Sequence, residues 1–243
     1  MFALFRKEIN SFLNSLIGYI VVIVFLAATG LFLWIFPVEI NILDFGYATL
    51  DGLFFLAPFV FLFLIPGITM RSFADERKSG TLELLLTQPL SDIRIILAKY
   101  FAGVVLVIVA LIPTLIWFFS VSRLGLPPGN LDTGGIWGSY AGLLFLGATF
   151  VSVGIFSSSV TGNQIVAFVI AVVISAFLYM GFDLVYTFIL SGKAGLFIQS
   201  LGIRAHYSSL SRGVIDTRDV VYFLSVSTFF ILLTRLSLEM RKW

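Results

Sequence analysis

Residues able to do chemistry are few in this chain, and they gather in two places. The first holds His206, the only histidine, followed by Asp216, Arg218 and Asp219. One imidazole without a second His or a Cys nearby makes a poor metal site, and with no Cys at all, disulfides and thiolate ligands are ruled out. The trio Asp216, Arg218 and Asp219 reads instead as an outer cap for the helix that follows. Neither G-x-S-x-G nor H-E-x-x-H occurs, so there is no basis for intramembrane hydrolysis. No G-x-x-x-x-G-K-[ST] occurs either. Gly192-Lys193-Ala194 is a fragment that lacks the upstream Gly spacing and the Ser/Thr, so no loop here can cradle phosphates. The second place is "MRSFADERKSGTLELLLTQPLSD", Met70 to Asp92, a charged island in a greasy chain.

The solvent around that island is legible from composition. Of 243 residues, 59% are hydrophobic and only 12% charged, with 27 Phe and a mean hydropathy of +1.07. A soluble domain carries about 25% charged residues. The chain is therefore expected to be an all-α polytopic membrane protein, a single transmembrane domain over 1–243. A net charge of +2 gives no reason to expect nucleic acid as a partner. Six stretches are long and apolar enough to cross a bilayer, at roughly 17–36, 53–70, 100–120, 136–156, 163–182 and 219–238. The run from Leu16 to Phe36 outlasts the apolar core of a secretory signal, about 7–15 residues, so it predicts a span and not a cleaved leader.

Six spans place both termini on one side. With the termini cytoplasmic, ten Lys and Arg lie inside and five outside, four of those five in one long loop. That bias predicts termini in and a cytoplasmic island. Before the first span, Phe2, Phe5, Ile9, Phe12, Leu13 and Leu16 share one helical arc, with Arg6, Lys7, Asn10, Ser11 and Asn14 on other faces. Residues 1–16 are thus expected to form an interfacial helix, with Gly18 as its bend.

Within the cytoplasmic segment 71–99, nine of 29 residues are charged. Ser72 and Asp75 fit a capping box for one short helix, which Gly80-Thr81 would break. Leu82, Leu85 and Leu86 then form one stripe, with Glu83 off it. Pro89 stops this second piece, and Ser91-Asp92 can cap the helix beyond. Two short amphipathic pieces beside a membrane can present a leucine ridge and charges to a partner; an ordinary solvated loop resting on headgroups remains the plainer alternative.

"ERKSGTLELLLTQPLS", Glu76 to Ser91, resembles the signature cytoplasmic segment of ABC-2 type permeases, the membrane subunits of one class of ATP-binding-cassette transporters. The likeness extends over the whole chain. "LFRKEINSF", "LIPGITMRSF", "GTLELLLTQP", "LGLPPGNLD", "NQIVAFVIAV" and "RAHYSSLSRGVIDTRDVVYF" are similar to gliding-motility-associated ABC permeases of the GldF type. The resemblance implies an ABC-2, type V exporter-like fold that does not itself catalyse. It implies a separate ATPase subunit that binds ATP and Mg, a second permease chain (identical or related), and an outer-facing accessory protein. It also implies that Glu76, Arg77, Gly80, Thr81, Leu82, Glu83, Leu85 and Pro89 form or shape the coupling contact, and that the outer segment 183–218 is a re-entrant gate. In that segment the run "LVYTFILSGKAGLFIQSLGI" breaks at Ser191-Gly192, as two half-helices would.

The spans hold no convincing charged side chain, which weighs against an ion-coupled secondary transporter. A membrane scaffold that moves no substrate stays open. Gly138 and Gly142 form a G-x-x-x-G for close helix packing, within the subunit or at a dimer seam. Pro58, Pro66 and Pro113 are expected to kink their spans.

Overall fold

The computed structural model describes residues 1–44, 46–86, 91–188 and 193–240. Where the sequence is apolar and rich in Leu, Phe, Val and Ile without helix breakers, backbone groups have no water to turn to and close on themselves as helices. The order is α1 (Phe2–Leu13), α2 (Leu16–Trp34), α3 (Asp51–Thr69), α4 (Ala74–Lys78), α5 (Thr81–Leu86) and α6 (Asp92–Leu111). A 3-10 turn at Ile112–Thr114 leads to α7 (Leu115–Leu124), α8 (Thr133–Val160) and α9 (Gln164–Ala176). A π turn at Phe177–Gly181 joins α10 (Phe182–Phe188), before α11 (Lys193–Gln199), α12 (Ile203–Leu210) and α13 (Thr217–Glu239). No strand occurs among the described residues.

Five helical stretches are long and apolar enough to cross a membrane: Asp51–Lys78, Asp92–Leu124, Thr133–Val160, Gln164–Phe188 and Thr217–Glu239. The sixth is α2, which joins α1 across a bend of 63°. The protein is an all-α, multi-pass membrane protein. Helix α6 begins at Asp92, as the Ser91-Asp92 signal predicts, and runs on into the third apolar stretch, so Lys99 lies within the helix.

The bend between α1 and α2 corrects the place expected for it. The break falls at Asn14–Ser15, where Ser15 Oγ accepts from Gly18 N at 3.1 Å and donates to the Phe12 carbonyl at 2.8 Å. Gly18 already lies in the first turn of α2, where a Cβ would collide with the Phe12 carbonyl oxygen. Its missing side chain lets the two helices close on each other.

Helix α8 is the axis of the bundle, buried along most of its length between α3, α6, α9 and α13. Small residues make this possible, because helices in lipid gain from close backbone approach. A Cβ on Gly147 would stand 2.7 Å from Val107 Cγ1, and one on Gly103 of α6 would stand 2.6 Å from Val151 Cγ1. Helix α3 passes through Pro58 and Pro66 as one helix, whereas Pro113 sits in the 3-10 turn where α6 gives way to α7. Helices α2, α7 and α9 turn rows of apolar side chains outward, including Ile23, Ile116, Phe119, Val169 and Val173. Those are the faces for lipid or for another chain.

Candidate coupling site

The described part of the island, residues 70–86, folds at one end of the bundle as two short helices, α4 and α5, joined at Ser79-Gly80 and called the hairpin. Helix α4 has no side-chain cap of its own, and Ser72–Asp75 does not form the expected capping box. The first amides are instead met by another helix. Ser158 Oγ, near the end of α8, accepts from Phe73 N at 2.9 Å and Ala74 N at 3.0 Å, and donates to the Met70 carbonyl at 2.9 Å. Asp75, freed from capping, accepts a hydrogen bond from the Gln164 side chain at the start of α9. Arg77 Nη1 donates to the Ser159 carbonyl at 3.2 Å. Five residues of the island, Met70, Phe73, Ala74, Asp75 and Arg77, are thus sewn to α8 and α9.

Beneath the hairpin lies an ion cluster. Lys99 Nζ stands 2.9 Å from Glu8 Oε1 of α1 and 3.0 Å from Glu76 Oε1 of α4. Its side chain is 1% exposed, against 22% for Glu8 and 15% for Glu76. The ammonium also lies 5.1 Å from the centre of the Phe73 ring. A buried ammonium without partners would be very costly, so two carboxylates and an aromatic face explain its tolerance. Three elements distant in sequence therefore meet at one cation.

This geometry divides the residues expected at the coupling contact. Glu76 and Arg77 turn inward to partners within the chain, and Leu82 is buried at 8% exposure. Gly80, with φ of +70°, makes the break between α4 and α5, a conformation that suits glycine. Thr81 and Glu83 are exposed together with Lys78 and Ser79. Ser79 and Thr81 hydroxyls lie 2.8 Å apart across the turn. The Leu85 side chain and Pro89 lie outside what the structure describes. Ser91 is the N-cap residue of α6 by backbone geometry, without a side-chain cap bond.

Sequence reasoning missed Lys99, Glu8, Ser158 and Gln164. The clearest available signal was Lys99 itself, a lone base in the apolar run "ILAKYFAGVV". Helix α1 also carries a face the stripe did not include. Leu4 is buried and Phe5 and Phe12 pack on the core, while Phe2 and Leu16 are 75% and 76% exposed. The apolar arc is thus shared between protein and surroundings.

At the opposite end, α12 and the turn after it pack against α8. Gly138 abuts Gly213 and Gly142 abuts Leu210, so close that added Cβ atoms would stand 2.5 Å from Gly213 O and 2.7 Å from Leu210 Cβ. Ser139 Oγ donates to the Ser211 carbonyl at 2.9 Å. Tyr207 OH donates to the Phe54 carbonyl at 2.7 Å, and burial pushes that hydroxyl well above its usual range. Asp216 caps α13 by accepting from Arg218 N at 2.9 Å. Asp219 does something else: its Oδ1 lies 2.7 Å from His206 Nδ1, while His206 Nε2 lies 2.9 Å from the Ser200 carbonyl. The imidazole also stacks on Tyr222 at 3.9 Å. Asp183 meets Arg204 at 3.5 Å and Gln199 at 3.3 Å. The sequence break at Ser191-Gly192 lies outside the described residues. Among the described residues no cluster of three or more His, Cys, Asp or Glu could hold a metal ion.

A family model described as ABC-2 family transporter protein matches residues 2–238. No curated protein is significantly similar to the chain.

Proposed function

The chain belongs to the ABC-2 family of transporter proteins as a membrane permease subunit, and from that premise we propose that it receives the work of ATP hydrolysis through the segment Glu76–Ser91, of which α4 and α5 are described. Family membership implies an ABC ATPase as partner. The observation that carries the proposal is the two-sided hairpin. Its outer turn offers Lys78, Ser79, Gly80, Thr81 and Glu83 to a docking subunit. Its inner side holds α1, α6, α8 and α9 through Glu76, Arg77, Asp75 and the Ser158 hydroxyl. A push on the exposed turn would reach the spans through bonds that are short and buried, without an intervening flexible loop.

In this proposal ATP and Mg are bound by the partner. The permease works as a pair of like or related chains in an inner membrane, with both termini and the hairpin on the ATPase side. The hairpin side chains act as positioning and docking groups, and the chain does no chemistry. The motifs similar to gliding-motility permeases extend the proposal to export or to a motility or secretion machine with an outer-facing accessory protein.

Glu83→Arg reverses the charge on an exposed side chain, and Leu85→Arg places a charge on the leucine stripe. Each is expected to abolish co-purification of the ATPase while leaving membrane insertion intact. If both variants still bind the ATPase and stimulate it normally, the coupling role of this hairpin is wrong.

A further inference from the structure

A cleft of about 250 Å³ opens between α1, the end of α3, α4 and α6. Its charged lining is ordered by depth. At the back lie Lys99, Glu8 and Glu76, the ion cluster beneath α4; Asp75, bonded to Gln164, lines the cleft as a third carboxylate, and at the exposed mouth lie Lys7 and Arg71. Two carboxylates share one ammonium at the back, which leaves one negative charge in excess. Glu76 shows where that excess is least satisfied: Oε1 pairs with Lys99, but Oε2 is buried and has no hydrogen-bond partner in the chain. Such an atom is rare in folded proteins and calls for a donor. The remaining wall is mixed: Phe12, Ile68 and Leu106 give it an apolar strip, beside the hydroxyls of Ser11, Ser15, Thr69 and Ser72.

We propose that this cleft is a binding site for the headgroup of an aminophospholipid, a phosphoethanolamine zwitterion. A primary ammonium carries three N–H donors, which matches the excess negative charge of Glu8 and Glu76, and a small turn of the Glu76 carboxylate would bring its buried Oε2 to meet one of them. The phosphate beside it meets Arg71 and Lys7 at the mouth, where guanidinium and ammonium groups form charge-assisted bonds to phosphate oxygens. The acyl chains leave past Phe12, Ile68 and Leu106. A quaternary ammonium has no N–H to give Glu76, and a glycerol headgroup has no positive charge, so the cleft distinguishes three common lipids by elementary chemistry. The lipid would bridge the interfacial helix to the coupling hairpin and make their contact sensitive to membrane composition. This inference rests on the placement of α1 at the membrane surface, and is independent of whether an ATPase docks on the hairpin.

The test uses the full chain in bilayer discs of phosphatidylcholine doped with phosphatidylethanolamine or phosphatidylglycerol, with retained lipid counted by native mass spectrometry. Phosphatidylethanolamine is expected to be retained about tenfold over either other lipid, the factor for one charge-assisted hydrogen bond. The pair Lys7→Ala with Arg71→Ala should remove this retention. Glu76→Gln should keep lipid but lose the preference for a primary ammonium. Because Glu76→Gln also weakens the Lys99 pair, the Lys7/Arg71 pair serves as the arm least exposed to misfolding. Equal retention of the three lipids, or variants that behave as wild type, would overturn the proposal. So would displacement by soluble glycerophosphoethanolamine at matched concentration, which would assign the cleft to a free solute. Placement of α1 is read separately, from a fluorophore on Phe2→Cys in this cysteine-free chain and its quenching by chain-brominated lipid. An unquenched label sinks the placement; a quenched label with unselective retention sinks the headgroup site alone.

Discussion

Lys99 of α6 and Glu76 of α4 face each other at 3.0 Å, and the lysine side chain is 1% exposed. Glu76 is one of the residues whose sequence context pointed outward, to a docking partner. Its carboxylate points inward, and the same ammonium holds Glu8 of α1 at 2.9 Å. The hairpin, the N-terminal helix and the third span are therefore tied at a single cation. Removing that cation should be felt by all three.

Lys99→Met keeps the length of the side chain and removes the charge, leaving Glu8 and Glu76 uncompensated. Breaking a buried ion pair from one side costs about 3–5 kcal/mol. Thermal unfolding of the detergent-solubilised protein is expected to show a loss on that scale. The triple variant Lys99→Met with Glu8→Gln and Glu76→Gln should recover much of it, since no unpaired charge remains. If the single variant melts with wild type, the cluster contributes no stability.

Ser158→Ala removes one oxygen that accepts from both Phe73 N and Ala74 N. Buried donors left unmatched cost about 1–3 kcal/mol. Amide exchange at the start of α4 should accelerate by about tenfold or more for that loss. Exchange in the middle of α8 should not change. Uniform acceleration along both helices would mean that Ser158 supports the bundle and not the root of the hairpin.

Gly138→Val and Gly142→Val should destabilise the chain by about 1–3 kcal/mol through overpacking. The atoms they strike, at Gly213 and Leu210, belong to the same chain. Cross-linking or mass measurements of oligomeric state should therefore be unaffected while the melting temperature falls. A change of oligomeric state at unchanged stability would place these glycines at a seam between chains.

His206→Phe keeps a ring against Tyr222 and removes both polar contacts of the imidazole, to Asp219 and to the Ser200 carbonyl. Asp219 is only 7% exposed and would lose its side-chain partner. A loss of about 1–3 kcal/mol is expected, read as faster proteolysis within 193–218. Asp219→Asn retains an acceptor oxygen and should cost less. Equal protease resistance in His206→Phe and wild type would show that this clasp does not hold the segment.

The amino-acid sequence determined the solvent of this protein, its helical class, the stretches apolar enough to cross a membrane and the position of its charged segment between two of them. These follow from local rules: lipid forces long uncharged helices, and Gly80, at positive φ, breaks a short charged segment into two helices. Tertiary structure decided which side chains of that hairpin face out. Glu76 and Glu83 look alike in sequence, yet Glu76 meets Lys99 from 23 residues away while Glu83 is exposed. Likewise Ser72–Asp75 fits a capping pattern, but Ser158 arrives from 85 residues away and takes the amide of Phe73. Local spacing gives the period of a helix and the chance of a cap. It contains nothing about which distant helix, packed through glycines such as Gly103 and Gly147, will bring a hydroxyl or an ammonium into reach.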